Sequence, residues 1–88
     1  MVLTVKENSS VNHYGVYRGI VVSNSDPLLL MRVQVQVAAV LGDDVVWALP
    51  CVPVGSSSLP DPGTLVWIMF EGGDAQSPVW MGTATAAL

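Results

Sequence analysis

The residues of this sequence that could do chemistry are few: seven carboxylates, one histidine, one cysteine and several serines. Two carboxylate pairs are close in sequence, Asp43 with Asp44 and Glu71 with Asp74. Neither pair has the spacing of a calcium-binding loop. Both pairs adjoin glycines, where aspartate commonly stabilises turns. We therefore interpret them as turn residues and not as metal ligands or as an acid–base pair.

The possible nucleophiles also lack partners. The serines at 56–58 follow a glycine, but no phosphate-loop lysine comes after them. A Ser–His–Asp arrangement would have to use His13, which lies in a polar, aperiodic N-terminal stretch. Cys51 lies in an apolar, strand-like stretch, so we expect a small buried hydrophobic residue. With no Cys/His cluster for zinc, we expect no metal, no cofactor, no catalytic residue and no enzymatic activity.

The composition combines small size with an unusually apolar surface. A chain of 88 residues buries only about 60% of the surface that its unfolded form exposes. Yet 51% of the residues are hydrophobic and 11% are charged, against about 25% charged in average domains. Some apolar side chains must therefore lie outside, which indicates contact with other proteins. We expect an obligate assembly.

Two other classes of partner are poorly supported. The net charge is −4, and the three cations Lys6, Arg18 and Arg32 are dispersed, whereas nucleic-acid binding rests on several phosphate contacts. The longest charge-free interior stretch, 45–60, is interrupted by prolines and glycine, and a spanning helix needs about 20 apolar residues. The first residues lack the pattern of a signal peptide. We expect no nucleic-acid partner and no stable membrane insertion.

Alternation of apolar and polar residues predicts strands. It is clearest from Met31 to Val37, where valines alternate with Arg32 and two glutamines. Turn residues separate the segments. The sequence therefore predicts an all-β fold, a small five-stranded antiparallel barrel of OB or SH3-like type. Its predicted strands are 14–23, 30–37, 45–52, 65–71 and 78–82, within a barrel at 14–82 that follows an N-terminal arm at 1–13 and precedes a tail at 83–88.

Apolar residues lie on both faces of the fourth predicted strand, so we expect it to be buried once by the fold and once by a partner. Tryptophans on an OB sheet can stack nucleic-acid bases or line a sugar site, but they are also enriched in cores and interfaces. We favour the second interpretation because a basic groove is missing. The loops at 38–44 and 53–63 and the arm are further candidate surfaces. The candidate contact residues are Leu65, Trp67, Met69, Trp80, Trp47, Leu41, Val54 and Leu59.

An ordered set of motifs covers about 14–82. The motifs are Tyr-Gly-Val-Tyr-Arg-Gly from Tyr14, Asp26-Pro27, the alternating run from Met31, Trp47-Ala48-Leu49-Pro50, Pro62-Gly63, the run from Val66 to Asp74, and Pro78-Val79-Trp80-Met81-Gly82. This ordered set resembles the OB-fold domain of phage baseplate hub and central-spike proteins, which also occurs in tail lysozymes and in VgrG spikes of type VI secretion systems. In that family the second strand usually begins Gly-Arg-Val, and here Met31 stands in place of the glycine.

The resemblance implies a structural part of a contractile-type tail tip, often trimeric, that joins a hub to a spike. The family's OB domain carries no catalytic residues, so none is transferred. The sequence printed here stops at Leu88, which leaves room for neither a lysozyme domain nor a β-helical needle. We therefore expect an adaptor that docks on a separately made hub, spike, tube or tail-tip protein. We expect it in the virion baseplate or an equivalent injection-machine tip, made in the host cytoplasm without a signal peptide.

Two alternatives belong to other functional classes. An OB module could bind single-stranded nucleic acid or an oligosaccharide, and salt-sensitive quenching of tryptophan fluorescence by oligonucleotides would support it. The chain could also be an accessory subunit of an envelope-degrading enzyme, which would need a catalytic neighbour.

Overall fold

A computed structural model describes residues 11–84 of the chain. Residues 1–10 of the predicted arm at 1–13 and residues 85–88 of the predicted tail lie outside the described residues. The strands are β1 (Tyr17–Ser23), β2 (Val33–Gln36), β3 (Val45–Pro50), β4 (Leu65–Phe70) and β5 (Pro78–Thr83), with one short helix, α1 (Ala38–Leu41), between β2 and β3.

The strands close into a barrel in the order β1-β2-β3-β5-β4, with β4 returning to pair with β1. The prediction of a small all-β OB-fold barrel is confirmed. The prediction that the pairing is purely antiparallel is wrong, because β3 and β5 pair in parallel through Leu49–Val79 and Pro50–Trp80. The reason is topological. β2 is antiparallel to β1 and β3 is antiparallel to β2, so β3 runs in the direction of β1. β4 is antiparallel to β1 and β5 is antiparallel to β4, so β5 runs in that same direction.

The barrel interior is filled by the inward-facing residues of the alternating strands. Val33 and Val35 of β2 are completely buried, as are Val66 and Ile68 of β4. Period-two alternation produces this result because successive side chains point to opposite faces of a strand. The remaining buried hydrophobic residues are Val21, Val37, Ala48, Phe70 and Trp80.

The N-terminal end of the described chain packs onto the barrel. The backbone N–H of His13 donates to the carbonyl of Gly73 at 2.8 Å. The imidazole lies against the rings of Phe70 and Tyr17, with centroid distances of 5.9 and 6.4 Å. His13 thus contributes to closing the end of the barrel beside the β4–β5 turn.

The backbone of β1 passes close to the core at Gly19. A Cβ atom added there would lie 2.9 Å from Cγ1 of Ile68 and 3.3 Å from the carbonyl oxygen of Gln36. We expect Gly19→Ala to destabilise the fold by about 1–3 kcal/mol through overpacking, measured by urea unfolding. A variant as stable as the wild type would show that the interior does not close this tightly.

Candidate protein-contact surfaces

The outward side of β4 forms the centre of an apolar surface. Leu65 and Trp67 are half-buried, and Met69 is 39% exposed. The apolar surface extends onto the neighbouring strands, because directly paired residues point to the same face of the sheet. Leu65 pairs with Ile20 of β1, and Met69 pairs with Val79 of β5. Leu49 of β3 continues the row beside Val79. We call these six residues the β4 outer face: Ile20, Leu49, Leu65, Trp67, Met69 and Val79.

Two tryptophans on the outside of the barrel each lie against an arginine. The guanidinium of Arg18 lies 5.1 Å from the ring centroid of Trp67, its cross-strand neighbour. The guanidinium of Arg32 lies 4.4 Å from the ring centroid of Trp47. Cation–π contact therefore occupies a face of each ring. Trp47 is half-buried on β3, and β5 separates that strand from β4.

The other predicted contact residues are scattered. Leu41 and Leu59 are half-buried and pack against the core, whereas Val54 is fully exposed on the loop after β3. Trp80 is only 3% exposed, and its indole N–H donates to the carbonyl of Met31 at 3.0 Å. Trp80 is therefore a core residue and contributes no surface to a partner in this fold, because inward-facing positions of β5 fill the barrel.

The connection between β1 and β2, residues 24–32, is organised by one buried carboxylate. Asp26 accepts backbone N–H bonds from Leu28, Leu30 and Arg32 at 2.9, 3.0 and 3.2 Å. It also accepts from Nε and Nη2 of Arg32 at 3.0 and 2.8 Å. The arginine side chain, with help from the backbone N–H groups, holds the pKa of Asp26 far below its ordinary value. The same contact raises the pKa of Arg32.

The loop so held contains two residues in an unfavourable backbone conformation. Leu29 and Met31 have φ angles of 57° and 61°, in the left-handed region that costs non-glycine residues about 1–2 kcal/mol each. Met31 stands where the family that the sequence resembles usually has glycine, a residue that enters this region at no steric cost. The hydrogen bonds to Asp26 and the bond from Trp80 to the Met31 carbonyl hold the loop in place.

This arrangement turns three consecutive leucines toward solvent. Leu28, Leu29 and Leu30 are 61%, 87% and 51% exposed. We call residues 24–32 the leucine loop. Sequence reasoning interpreted residue 26 as part of a turn and residue 30 as the start of a strand, and it missed this surface. The available signal was an Asp-Pro turn followed by three leucines and an arginine six residues after the aspartate.

A shallow groove of about 270 Å³ lies between the leucine loop, β3 and the β4–β5 turn. This is the side on which OB-folds bind oligonucleotides and oligosaccharides. Its lining includes Trp47, Arg32, Glu71 and Gln76. Because Arg32 covers a face of Trp47 and is itself paired with Asp26, the groove gives little support to stacking or phosphate binding.

Asp74 and Cys51 are two of the groups that could react, and both lie at the surface. The Asp74 carboxylate accepts the backbone N–H of Gln76 at 2.9 Å, which confirms its turn role. Within residues 11–84, no three His, Cys, Asp or Glu side chains are grouped so that they could hold a metal ion. Cys51 is exposed, so the prediction of a buried cysteine is wrong; the residue follows Pro50 at the end of β3 and lies outside the core.

No helix in the described part of the chain has both the length and the hydrophobicity to cross a membrane.

Comparison with known protein families identifies a match. The family model for the type VI secretion system/phage-baseplate injector OB domain matches residues 17–84, which spans β1 to the end of β5. No curated protein shows a significant match to the chain. The matched residues contain the β4 outer face and the leucine loop.

Proposed function

Because this chain belongs to the family of type VI secretion system and phage-baseplate injector OB domains, we propose that it is a non-catalytic adaptor linking a hub to a spike or another tail-tip protein. The family suggests a structural role in a baseplate and contact with other tail or baseplate proteins. The adaptor role, its place between hub and spike and the lack of catalysis are our proposal. Its site of action would be the virion baseplate or the equivalent tip of an injection machine.

The observation that carries this proposal is the β4 outer face. The barrel core requires apolar residues on only one side of β4, but this strand has them on both sides. The outward apolar row continues onto β1, β5 and β3 through Ile20, Val79 and Leu49. A contiguous apolar surface on a small domain marks a protein–protein contact. Covering this face with a hub or spike protein would offset the small core of a domain of this size.

We also propose that copies of the chain assemble with one another, with a trimer as the favoured state. This proposal is supported by the low charge content of the chain and by the apolar side chains exposed at several places on the barrel. We propose no nucleic-acid partner, since the described arginines Arg18 and Arg32 both lie over tryptophan rings and Arg32 is paired with Asp26. Binding to phosphates would require free cations.

Replacing Met69 by aspartate tests the docking role of the β4 outer face. The tagged chain is expressed together with the other proteins of the tail or injection particle that contains it, and particles are pelleted and probed by immunoblot. We expect Met69→Asp to reduce the bound amount about tenfold or more, because a buried unpaired charge is costly at an interface. Met69→Leu is the matched control and should bind like the wild type.

Two outcomes would count against the proposal in different ways. Normal incorporation of Met69→Asp would show that the β4 outer face does not dock. A wild-type chain that stays in the supernatant while complete particles pellet would contradict the baseplate role itself.

A further inference from the structure

The leucine loop combines high exposure with a fixed conformation. Leu28, Leu29 and Leu30 stay exposed although three backbone N–H groups of the loop donate to Asp26 and the Arg32 side chain donates two further bonds to the same carboxylate. Single exposed leucines are ordinary, but three in succession on an ordered loop form a patch.

The backbone of the loop is strained at the same place. Leu29 and Met31 are held at positive φ, and such strain persists only where the surroundings over-determine it. Nothing in the barrel core requires Leu29 to adopt this conformation, because its side chain is 87% exposed. Leu29 thus combines a positive φ angle with an exposed apolar side chain.

An apolar recess lies directly beside the loop. It has a volume of about 530 Å³, and Pro27, Leu29, Met31 and Leu59 contribute to its lining. Leu59 belongs to the long loop between β3 and β4, which a hydrogen bond from Asn24 Nδ2 to the carbonyl of Pro60 ties to the leucine loop at 3.1 Å. One small region of the surface therefore carries both projecting leucines and a recess large enough for a leucine side chain.

The charge of this region also bears on the partner. The loop's charged groups, Asp26 and Arg32, are paired with each other, so the three leucines present no uncompensated charge. The chain as a whole has a net charge of −4, and two copies would repel each other if charged surfaces met. Copies can approach through this neutral patch with little repulsion. A basic partner would instead be expected to meet the carboxylates elsewhere on the barrel.

We infer that the leucine loop and its recess form a contact between copies of this chain, with leucine side chains of one copy seated in the recess of the next. The patch carries both projections and a recess, so one copy can supply the leucines and its neighbour the recess, and head-to-tail contacts of this kind can close into a ring such as a trimer. The inference rests on the proposed homo-oligomer and assigns the surface that makes it. The β4 outer face remains for the hub or spike protein, so the two surfaces have separate tests.

The test is sedimentation velocity of the purified 88-residue chain across the micromolar range. The wild type should self-associate. Leu29→Gly should weaken self-association about 10- to 100-fold, the change expected when one buried leucine contact is lost. Its melting temperature should stay within a few degrees of the wild type, because glycine relieves the positive φ at a position outside the core. Leu28→Ser should act in the same direction.

Val45→Ser is the control. Val45 is also an exposed apolar residue, but it begins β3 after α1, at the other end of β2 from the leucine loop. We expect this variant to self-associate like the wild type. Equal weakening by Val45→Ser would show that the loss is not specific to the loop.

Three results would overturn the inference. A folded Leu29→Gly variant that associates as well as the wild type would place the homo-oligomer contact elsewhere and leave the oligomer intact. A wild type that is monomeric at every concentration tested would refute both the proposed contact and the proposed homo-oligomer. If the wild type is monomeric and Leu29→Gly still lowers incorporation into particles, the loop docks on another tail protein, and the baseplate role stands without this inference.

Discussion

Replacing Trp80 by alanine is expected to destabilise the barrel by about 3–5 kcal/mol, the usual cost of removing a buried aromatic side chain. Trp80 faces the core from β5 and is 3% exposed. Its indole N–H is also the donor that holds the carbonyl of Met31, one of the strained residues of the leucine loop. Urea unfolding at neutral pH measures the loss.

Two further variants separate the contributions of Trp80. Trp80→Phe keeps much of the ring volume but removes the donor to the Met31 carbonyl, so we expect a smaller loss, about 1–3 kcal/mol. Trp67→Ala removes an outward-facing ring that contacts Arg18, and we expect only about 1 kcal/mol. If Trp67→Ala cost as much as Trp80→Ala, the assignment of Trp80 to the core and Trp67 to the surface would be wrong.

Replacing Asp26 by asparagine is expected to have the second large effect. The carboxylate accepts five hydrogen bonds, two of them from the charged Arg32 side chain. Asparagine keeps the size but has one acceptor oxygen and leaves the guanidinium without its counter-ion. We expect the melting temperature to fall by about 10 °C, measured by circular dichroism. Asp61→Asn, an exposed aspartate of the β3–β4 loop, is the control and should change little.

The same contact predicts how stability depends on pH. The pKa of Asp26 is lower in the folded chain than its ordinary value of 3.8, so the folded state holds the proton less tightly than the unfolded state. Its stabilising contribution is fully present above that ordinary pKa and is lost as pH falls below it toward the folded pKa. The wild type should therefore lose stability below about pH 4 more steeply than Asp26→Asn. Parallel curves for the two proteins would contradict this.

The barrel could be predicted from the sequence because its strands alternate. The valines of β2, and Val66, Ile68 and Phe70 of β4, are buried as period two requires. Strand ends were less predictable. Residues 14–16 and 30–32 have strand-like composition, but β1 begins at Tyr17 and β2 at Val33, because pairing with neighbouring strands sets the ends of a strand. The parallel pairing of β3 with β5 follows from long-range topology, which local patterns do not encode.

The contact surfaces could be predicted only in part. The outward row of Leu65, Trp67 and Met69 follows directly from alternation on β4. Trp80 has the same residue type and strand setting as Trp67 but the opposite orientation, and composition alone does not distinguish the two. The conformation of the leucine loop depends on the Asp26–Arg32 pair, which spans six residues, and on positive φ angles at Leu29 and Met31. Leucine and methionine rarely adopt positive φ, so their residue types do not predict it.

A cryo-EM map of the tail or injection particle that contains this chain tests the central claim most directly. The claim predicts the five-stranded barrel at the particle tip, with Leu65 and Met69 of the β4 outer face covered by a neighbouring hub or spike protein. A complete particle without this barrel, or a barrel whose β4 outer face is open to solvent, would contradict it.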